Sequence, residues 1–230
     1  MSKVVHPYAH RLVTLRDWKS RWFADKKYKE ILQSDVVVRE FLLKKLRGFY
    51  VSRVEIDRSA KATKVMIFTS RPGMIIGRSG EGATKLKSDL TVAMKKRGVI
   101  IPEDFKLDII EVGNPDADAA IVACMIAEGL EKRLPFRRVM KQTIEKVMAA
   151  RGVKGARIYL GGRLGGAEIA RSEQIKRGSI PLQTFRADVD FAREKAHMSY
   201  GDIGIKVWIY RGEIFSTAAP AASARRNNKQ

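Results

Sequence analysis

The chain is poor in the residues that hold metals and form disulfides, with one cysteine and three histidines among 230 residues. A single cysteine, Cys124, cannot form a disulfide within the chain or supply a cysteine-based zinc cluster. It falls among apolar residues of a predicted helix, which favours a buried side chain over a reactive thiol. The histidines, His6, His10 and His197, lack the spacing of a metal site. The sequence therefore predicts no metal and no cofactor.

Long apolar runs are also missing. The longest, residues 119–127, is far shorter than the roughly 20 residues that span a bilayer. The first 16 residues contain no unbroken apolar stretch of the kind a signal peptide needs. We therefore expect a cytoplasmic protein in a reducing compartment. The carboxylates are scattered and no nucleophile elbow is present, so the sequence does not indicate an enzyme.

Acidic residues are in the minority. The chain has 45 Lys and Arg against 25 Asp and Glu, a formal net charge of +20, while 45% of its residues are hydrophobic and can form real cores. A polyanionic partner would relieve the self-repulsion of such a charge. Nucleic acid fits best, because lysine and arginine that neutralise phosphates release condensed counterions. A membrane surface is the alternative, but it usually requires a basic amphipathic helix, and here the charge is spread along the chain.

Hydrophobic periodicity predicts an α+β protein. In the first half the order is helix, strand, strand, glycine-rich turn, helix, strand. The predicted segments are a helix capped by Ser34 or Asp35 and stopped at Gly48, strands 50–57 and 63–69, helix 82–97 and strand 105–112. The second half is predicted to contain two helices followed by four strands, at 116–133, 136–150, 154–160, 167–176, 183–193 and 203–210.

These patterns divide the chain into four parts. We expect an extended N-terminal arm with an anchoring segment at 1–33, an RNA-binding domain at 34–113, an α+β domain at 114–214 and a disordered basic tail at 215–230. The segment 17–33 alternates basic groups with aromatic residues. Those aromatics either anchor the arm to the core or stack on nucleobases.

The clearest motif is Ile76-Gly77-Arg78-Ser79-Gly80, placed between a predicted strand and a predicted helix. Glycines at both ends let the backbone come within hydrogen-bonding distance of phosphates, and the following helix directs its amide groups and positive dipole end to the same place. This is the pattern of the KH domain, whose GXXG loop clamps about four nucleotides. Arg71 and Lys85 complete the predicted RNA-binding set. A turn without any ligand remains the simpler alternative.

The same glycines nearly form a P-loop. Gly77 and Gly82 have the right spacing, but Ala83 and Thr84 follow where a P-loop has Lys and then Ser or Thr. Without the lysine that reaches the β- and γ-phosphates, nucleotide hydrolysis lacks its main charge.

A second motif, Leu134 to Lys141, places three cations on one arc of a predicted helix. At 100° per residue, Arg137, Arg138 and Lys141 lie beside the apolar stripe. A solvated polar face is the usual meaning of such charges. Against this, the first acidic residue of the helix is Glu145, so no carboxylate close in the sequence pairs with them.

A third motif is the glycine-rich loop 161–166, which either lies on an RNA backbone or forms a hairpin with a bulge. Basic residues surround it and also occur in the N-terminal arm. The residues predicted to contact RNA are Lys3, His6, Arg11, Arg157, Arg163, Gly165, Gly166, Arg171, Lys176 and Arg177.

Together these segments resemble the bacterial small-subunit ribosomal protein S-three family. The matching stretches are VHPYAHRL, QSDVVVREFL, RPGMIIGRSGE, FRRVMK, GGRLGGAEIARSE and YGDIGIKVWIYRGEI, in that order, from about Lys3 to Ile214. Two departures are a longer segment at 95–106 and Pro135 before the FRR run.

The resemblance implies a type II KH domain (α-β-β-α-α-β) followed by an α+β C-terminal domain of two helices on a four-stranded sheet, both bound in the head of the small subunit. It implies that Arg137, Arg138 and Lys141 line the channel through which mRNA enters and help to unwind it without hydrolysing nucleotide. The implied partners are small-subunit rRNA, mRNA and the ribosomal proteins S-ten, S-fourteen and S-two, with no membrane and no homo-oligomer.

Overall fold

The computed structural model describes residues 6–59, 62–99 and 104–215. The prediction for Lys3, that for the tail beyond residue 215, and the centre of the longer 95–106 segment lie outside the described residues. The chain divides into two compact units. The first runs from Lys19 to Glu128, and the second combines the residues up to Trp18 with those from Gly129 onward. The predicted domain boundaries at residues 33, 113 and 214 stay predictions.

The helices and strands follow the predicted order, with an additional short helix at Pro7 and a two-residue strand at Ser20. The short helix at Pro72 supplies the second of the two adjacent helices in the α-β-β-α-α-β order that the resemblance implies. The helices are α1 (Pro7–His10), α2 (Tyr28–Lys45), α3 (Pro72–Ile76), α4 (Glu81–Lys96), α5 (Ala119–Glu131) and α6 (Phe136–Ala149). The strands are β1 (Ser20–Arg21), β2 (Val51–Arg58), β3 (Ala62–Thr69), β4 (Asp104–Glu111), β5 (Gly155–Gly162), β6 (Arg171–Gly178), β7 (Ala187–Met198) and β8 (Gly201–Glu213).

The first unit is a mixed sheet with helices packed on it. Its strand order is β1-β2-β3-β4, with β2 antiparallel to β3, and with β1 parallel to β2 and β3 parallel to β4. The parallel β3–β4 pair requires a crossover, which α3 and α4 provide. Alternating residues of β2 and β3 enter the core, where Leu42, Ile56, Ile67 and Leu90 are fully buried. The glycine bend predicted to bind RNA lies within this crossover.

The start of α2 differs from the prediction. The helix begins at Tyr28, six residues before the expected cap, and Ser34 and Asp35 are buried inside it. The Arg58 guanidinium donates to Ser34 Oγ at 2.6 Å and to Asp35 Oδ1 at 2.7 Å, and Trp22 Nε1 donates to Asp35 Oδ2 at 2.8 Å. These polar side chains bind partners from other elements and do not cap a helix.

The aromatic residues of the segment 17–33 have different environments. Trp22 is held by its bond to Asp35 and by a tilted contact with Tyr28, 5.2 Å between ring centroids. Trp18 and Phe23 are 56% and 87% exposed. Anchoring therefore describes Trp22, and stacking on bases remains open for the two exposed rings.

The second unit contains an antiparallel sheet of order β6-β5-β8-β7. Helix α6 packs on β5 and β6. Its apolar side faces inward, with Met140, Ile144 and Val147 buried, as the predicted periodicity requires. Gly129 lets α6 lie close to α5, because a Cβ there would approach Val139 Cγ1 to 3.3 Å.

The N-terminal segment is not extended where it is described. Residues Pro7–His10 form α1, in which proline occupies the first turn and the His6 side chain accepts a bond from the Ala9 N–H. Helix α1 contacts β7 of the second unit. The expectation of an extended arm fails here because this segment packs on the sheet.

Candidate nucleic-acid interface

The glycine bend joins the end of α3 at Ile76 to the start of α4 at Glu81. Gly77 and Gly80 have φ angles of 70° and 80°, and Ser79 between them has a φ of 55°. A side chain at such an angle is strained, so the fold around Ser79 must hold it there. This conformation turns the chain sharply at the amino end of α4, where the first N–H groups and the positive end of the helix dipole lie.

Gly82 sets how closely the two helices meet, and the sequence analysis did not assign it a role at the site. A Cβ at this position would lie 2.6 Å from the Ile75 carbonyl oxygen and 2.8 Å from that of Ile76. Only glycine allows the first turn of α4 to pass so near the end of α3. In the sequence, Gly82 is recognisable as the third glycine of GRSGEG. Its P-loop spacing alone did not indicate this packing role.

The side chains of the bend are directed to solvent. Arg78 and Ser79 are exposed and Ile76 is 38% exposed, whereas the neighbouring Ile75 is buried in the core at 4%. Ser79 and Lys85 line one shallow hollow, together with Glu81, Thr84 and Ser88. The bend therefore brings main-chain donors, one arginine and one lysine to a single exposed surface.

Arg71 lies at the amino end of α3, and its guanidinium carbon is 4.6 Å from the centroid of the Tyr50 ring. This cation–π contact holds the exposed arginine on its own domain.

The predicted cluster on α6 has an acidic partner that the sequence analysis missed. Arg137 donates from Nε to Glu173 Oε2 at 3.2 Å and from Nη2 to Glu173 Oε1 at 3.0 Å. The hydrogen bond raises the pKa of Arg137 and lowers the pKa of Glu173. Glu173 belongs to β6, 36 residues away in sequence. The absence of a carboxylate close in the sequence therefore did not reveal that the fold brings one to Arg137 from another element.

Arg138 and Lys141 are exposed on the same helix. Within the described part of the chain, neither side chain forms an ion pair or hydrogen bond. Pro135 does not displace the helix, because its carbonyl accepts the first bonds, from the Arg138 and Val139 N–H groups at 2.9 and 3.1 Å. The cluster thus contains two exposed cations, Arg138 and Lys141, without a carboxylate partner among the described residues, and one arginine, Arg137, that is paired with Glu173.

The loop 161–166 forms a turn that is held in place by a buried side chain and by hydrogen bonds. Leu164 is buried at 1% and anchors it, and Gly165 and Gly166 have φ angles of 69° and 80°. Arg163 donates to the Ala167 carbonyl at 2.9 Å and to the Tyr200 carbonyl at 3.3 Å. Arg163 therefore stabilises the loop, and its exposed guanidinium edge remains at the surface.

Basic residues along β5 and β6 differ in whether a carboxylate lies close enough to offset their positive charge. Arg177 Nη2 lies 3.3 Å from Glu145 Oε1, and Arg171 Nε lies 3.8 Å from Glu173 Oε1. Arg157 hydrogen-bonds the Gln174 side chain, and Lys176 is exposed. Exposed pairs of this kind contribute little to stability, so these arginines can exchange a carboxylate for a phosphate at low cost.

The structure contradicts the prediction that Arg11 binds rRNA. Its side chain is completely buried, with Nε donating to the Ala187 carbonyl at 2.6 Å and Nη1 to the Pro7 carbonyl at 3.1 Å. Nη2 lies within 3.2 Å of the carbonyls of Pro181, Leu182 and Thr184. Burial lowers the pKa of Arg11. Each of its three nitrogens donates to a carbonyl inside the protein and the side chain has no exposed surface, so the guanidinium cannot reach a phosphate.

His6 is also engaged within the second unit. Its Nδ1 accepts the Ala9 N–H at 3.4 Å, and its ring meets the Phe191 ring edge-on with centroids 4.7 Å apart. It is half-buried, which leaves part of the ring at the surface.

Metal binding and membrane insertion find no support in the residues that the structure describes. Among them no three His, Cys, Asp or Glu side chains are grouped to hold a metal ion. None of the helices in the same residues has the length and apolar character needed to cross a membrane.

Two protein families match the chain. The family described as "KH domain" matches residues 37–117, which contain the glycine bend, and "Ribosomal protein S3, C-terminal domain" matches residues 126–209, which contain α6 and the antiparallel sheet.

Curated relatives match over nearly the whole length. The chain is 43% identical over 223 residues to "Small ribosomal subunit protein uS3" of Exiguobacterium sibiricum, covering 97% of this chain and 99% of the relative. Proteins with the same name from Clostridium botulinum and Clostridium novyi are 45% and 44% identical. These alignments cover 93% of both chains for the former, and 94% of this chain and 96% of the relative for the latter.

Proposed function

Because the chain belongs to the ribosomal protein S-three (uS3) family, we propose that it binds rRNA in the head of the small ribosomal subunit and guides mRNA into it. As a member of this family it is a structural protein of the small ribosomal subunit and not an enzyme. The head location and mRNA guidance are our proposal. So are the neighbours S-ten, S-fourteen and S-two.

The glycine bend is the observation that carries the RNA-binding part. It exposes Arg78 beside the amino end of α4, in a backbone conformation that glycines at 77, 80 and 82 make possible. A phosphate at this position would accept main-chain N–H bonds and meet a positive charge at once. The same bend lacks the lysine of a P-loop, so it has no group to drive nucleotide hydrolysis.

The role in mRNA guidance rests on α6. Arg138 and Lys141 are exposed cations without partners among the described residues, and they lie on a helix fixed to the sheet by its buried side. A cation held on a rigid helix can hold a single strand by its phosphates as base pairs open ahead of it. Arg137 contributes if the strand displaces Glu173, an exposed pairing with a small cost.

Replacing Arg137, Arg138 and Lys141 with alanine is expected to slow translation through a stable mRNA hairpin several-fold. Translation of an unstructured message should change by less than about twofold, because the removed charges act on a strand being unwound and leave the buried face of α6 intact. The measurement is the ratio of the two translation rates with ribosomes that carry the variant.

The matched control removes three exposed cations from the first unit, as Lys26→Ala, Lys27→Ala and Lys29→Ala. It should leave the hairpin ratio unchanged. Equal slowing by the control and the α6 variant, or no change of ratio in either, would remove mRNA guidance from the proposal.

A further inference from the structure

The antiparallel sheet of the second unit has one face that α6 does not cover. Glu173 and Arg177 of β6 reach Arg137 and Glu145 of α6, and Ile158 of β5 is fully buried on that same side. Side chains alternate along a strand, so the intervening residues point the other way. We call this the open sheet face. Its accessible part comprises Arg157, Tyr159, Gln174, Lys176, Arg193 and Lys206. Towards β7 the face is covered, because Trp208 and Phe191 pack in a hydrophobic cluster with Val189, Tyr210, Ile180 and Leu182, and the His6 ring lies against Phe191.

The open sheet face places like charges directly opposite each other twice. Arg157 of β5 is paired with Lys176 of β6, and Arg193 of β7 is paired with Lys206 of β8. Like charges in opposed positions destabilise a sheet. Neither Lys176, Arg193 nor Lys206 forms an ion pair within the described ranges that would relieve the repulsion.

Aromatic rings lie between these cations. Arg157 is 4.8 Å from the Trp208 ring, Arg193 is 5.3 Å from the Phe191 ring, and Lys206 is 5.4 Å from the Tyr159 ring. Trp208 is 7% exposed, and its buried Nε1–H has no acceptor in the part of the chain that the structure describes. A partner that draws Arg157 away would uncover both the ring face and this donor.

We propose that the open sheet face is a second RNA-binding surface, where irregular rRNA places phosphates on the opposed cation pairs and a base over the ring faces of Trp208 and Tyr159 that Arg157 and Lys206 now cover. This inference rests on the proposed function and extends it to Arg193 and Lys206, neither of which was predicted from the sequence to contact RNA. Charge selects RNA over an apolar protein partner, and the aromatic rings match nucleobases better than acidic side chains. A phosphate bound between two opposed cations attracts both of them, and this attraction offsets their mutual repulsion.

Lysine acetylation of the full chain, read by mass spectrometry, tests the surface without any substitution. In complex with purified small-subunit rRNA, Lys176 and Lys206 should become protected, as should Lys85 beside the glycine bend, while exposed Lys146 on α6 should react as in the free chain. If Lys85 is protected and Lys206 stays fully reactive, this inference is wrong and the proposed function stands. If no lysine is protected, the proposed function itself fails.

A third outcome points to a protein. Protection of Lys206 only when other small-subunit proteins are added, and not with rRNA alone, would assign the face to a protein and overturn the RNA proposal.

A pair of variants gives the matching affinity test. Arg193→Gln with Lys206→Gln should weaken rRNA binding about tenfold and reduce the salt dependence of log K by about 1.5, because two phosphate contacts are lost. Lys146→Gln with Arg151→Gln removes two exposed cations of the same unit and should do neither. An equal loss in the two variants would show that only net charge matters.

Discussion

Replacing Arg11 with methionine is expected to destabilise the second unit by about 3–5 kcal/mol, because methionine cannot donate to the carbonyl groups around it and each buried acceptor left unpaired costs about 1–3 kcal/mol. The substitution keeps a similar apolar stem. However, it removes the donor from the buried bonds to the Pro7 and Ala187 carbonyls and from the part-buried bonds to Leu182 and Thr184, of which Thr184 keeps the Ala187 N–H. Thermal unfolding should shift by about 15 °C or more for a unit of this size, and hydrogen exchange should rise first at the start of β7.

The matched control is Arg186→Met, in the loop between β6 and β7 that supplies the carbonyls of Leu182 and Thr184 and directly before β7. Arg186 is 58% exposed on its side chain and pairs with Glu213 at the surface. Surface pairs contribute about 0–1 kcal/mol, so the control should unfold nearly as the parent chain does. Equal stability of the Arg11 and Arg186 variants would show that the buried guanidinium is not what holds this loop and the N-terminal segment together.

Replacing Arg78 and Ser79 with aspartate is expected to weaken binding to small-subunit rRNA about a hundredfold. Loss of one charge-assisted contact and repulsion by two new carboxylates together account for roughly 3 kcal/mol. The fold should persist, because aspartate is among the side chains that tolerate a positive φ such as the 55° of Ser79. Binding is measured by filter retention at fixed salt, with circular dichroism to establish folding.

A control with the same change of charge is available on the same unit. Lys26→Asp with Gln33→Asp alters two exposed residues outside the bend. It should reduce affinity only by the general effect of net charge. If it matches the bend variant, the glycine bend has no special contact with RNA.

The sequence predicted best what depends on neighbouring residues. The glycine bend could be located because φ angles near 70° at Gly77 and 80° at Gly80 are a local requirement of those positions. The periodicity of α6 likewise identified its buried side. The α+β fold, the KH domain and the S-three resemblance are confirmed by the family matches. The domain boundaries and the roles of the RNA-binding residues other than Arg11 stay predictions.

The predictions that failed involve partners far apart in the chain. Ser34 and Asp35 have the chemistry of a helix cap, but Arg58 and Trp22 bind them in the folded protein. Arg11 lies 176 residues from Ala187, whose carbonyl it binds. No sequence pattern marks an arginine that will be enclosed by carbonyl groups, because main-chain acceptors are available from any residue type.

The most direct measurement is cosedimentation of the full chain with small ribosomal subunits depleted of it, across a series of salt concentrations. The account predicts stoichiometric binding that weakens steeply and log-linearly with salt, as expected when many phosphates are contacted, and that is reduced in the Arg78→Asp, Ser79→Asp variant. Failure to cosediment at physiological salt, or binding that ignores both salt and the variant, would contradict it.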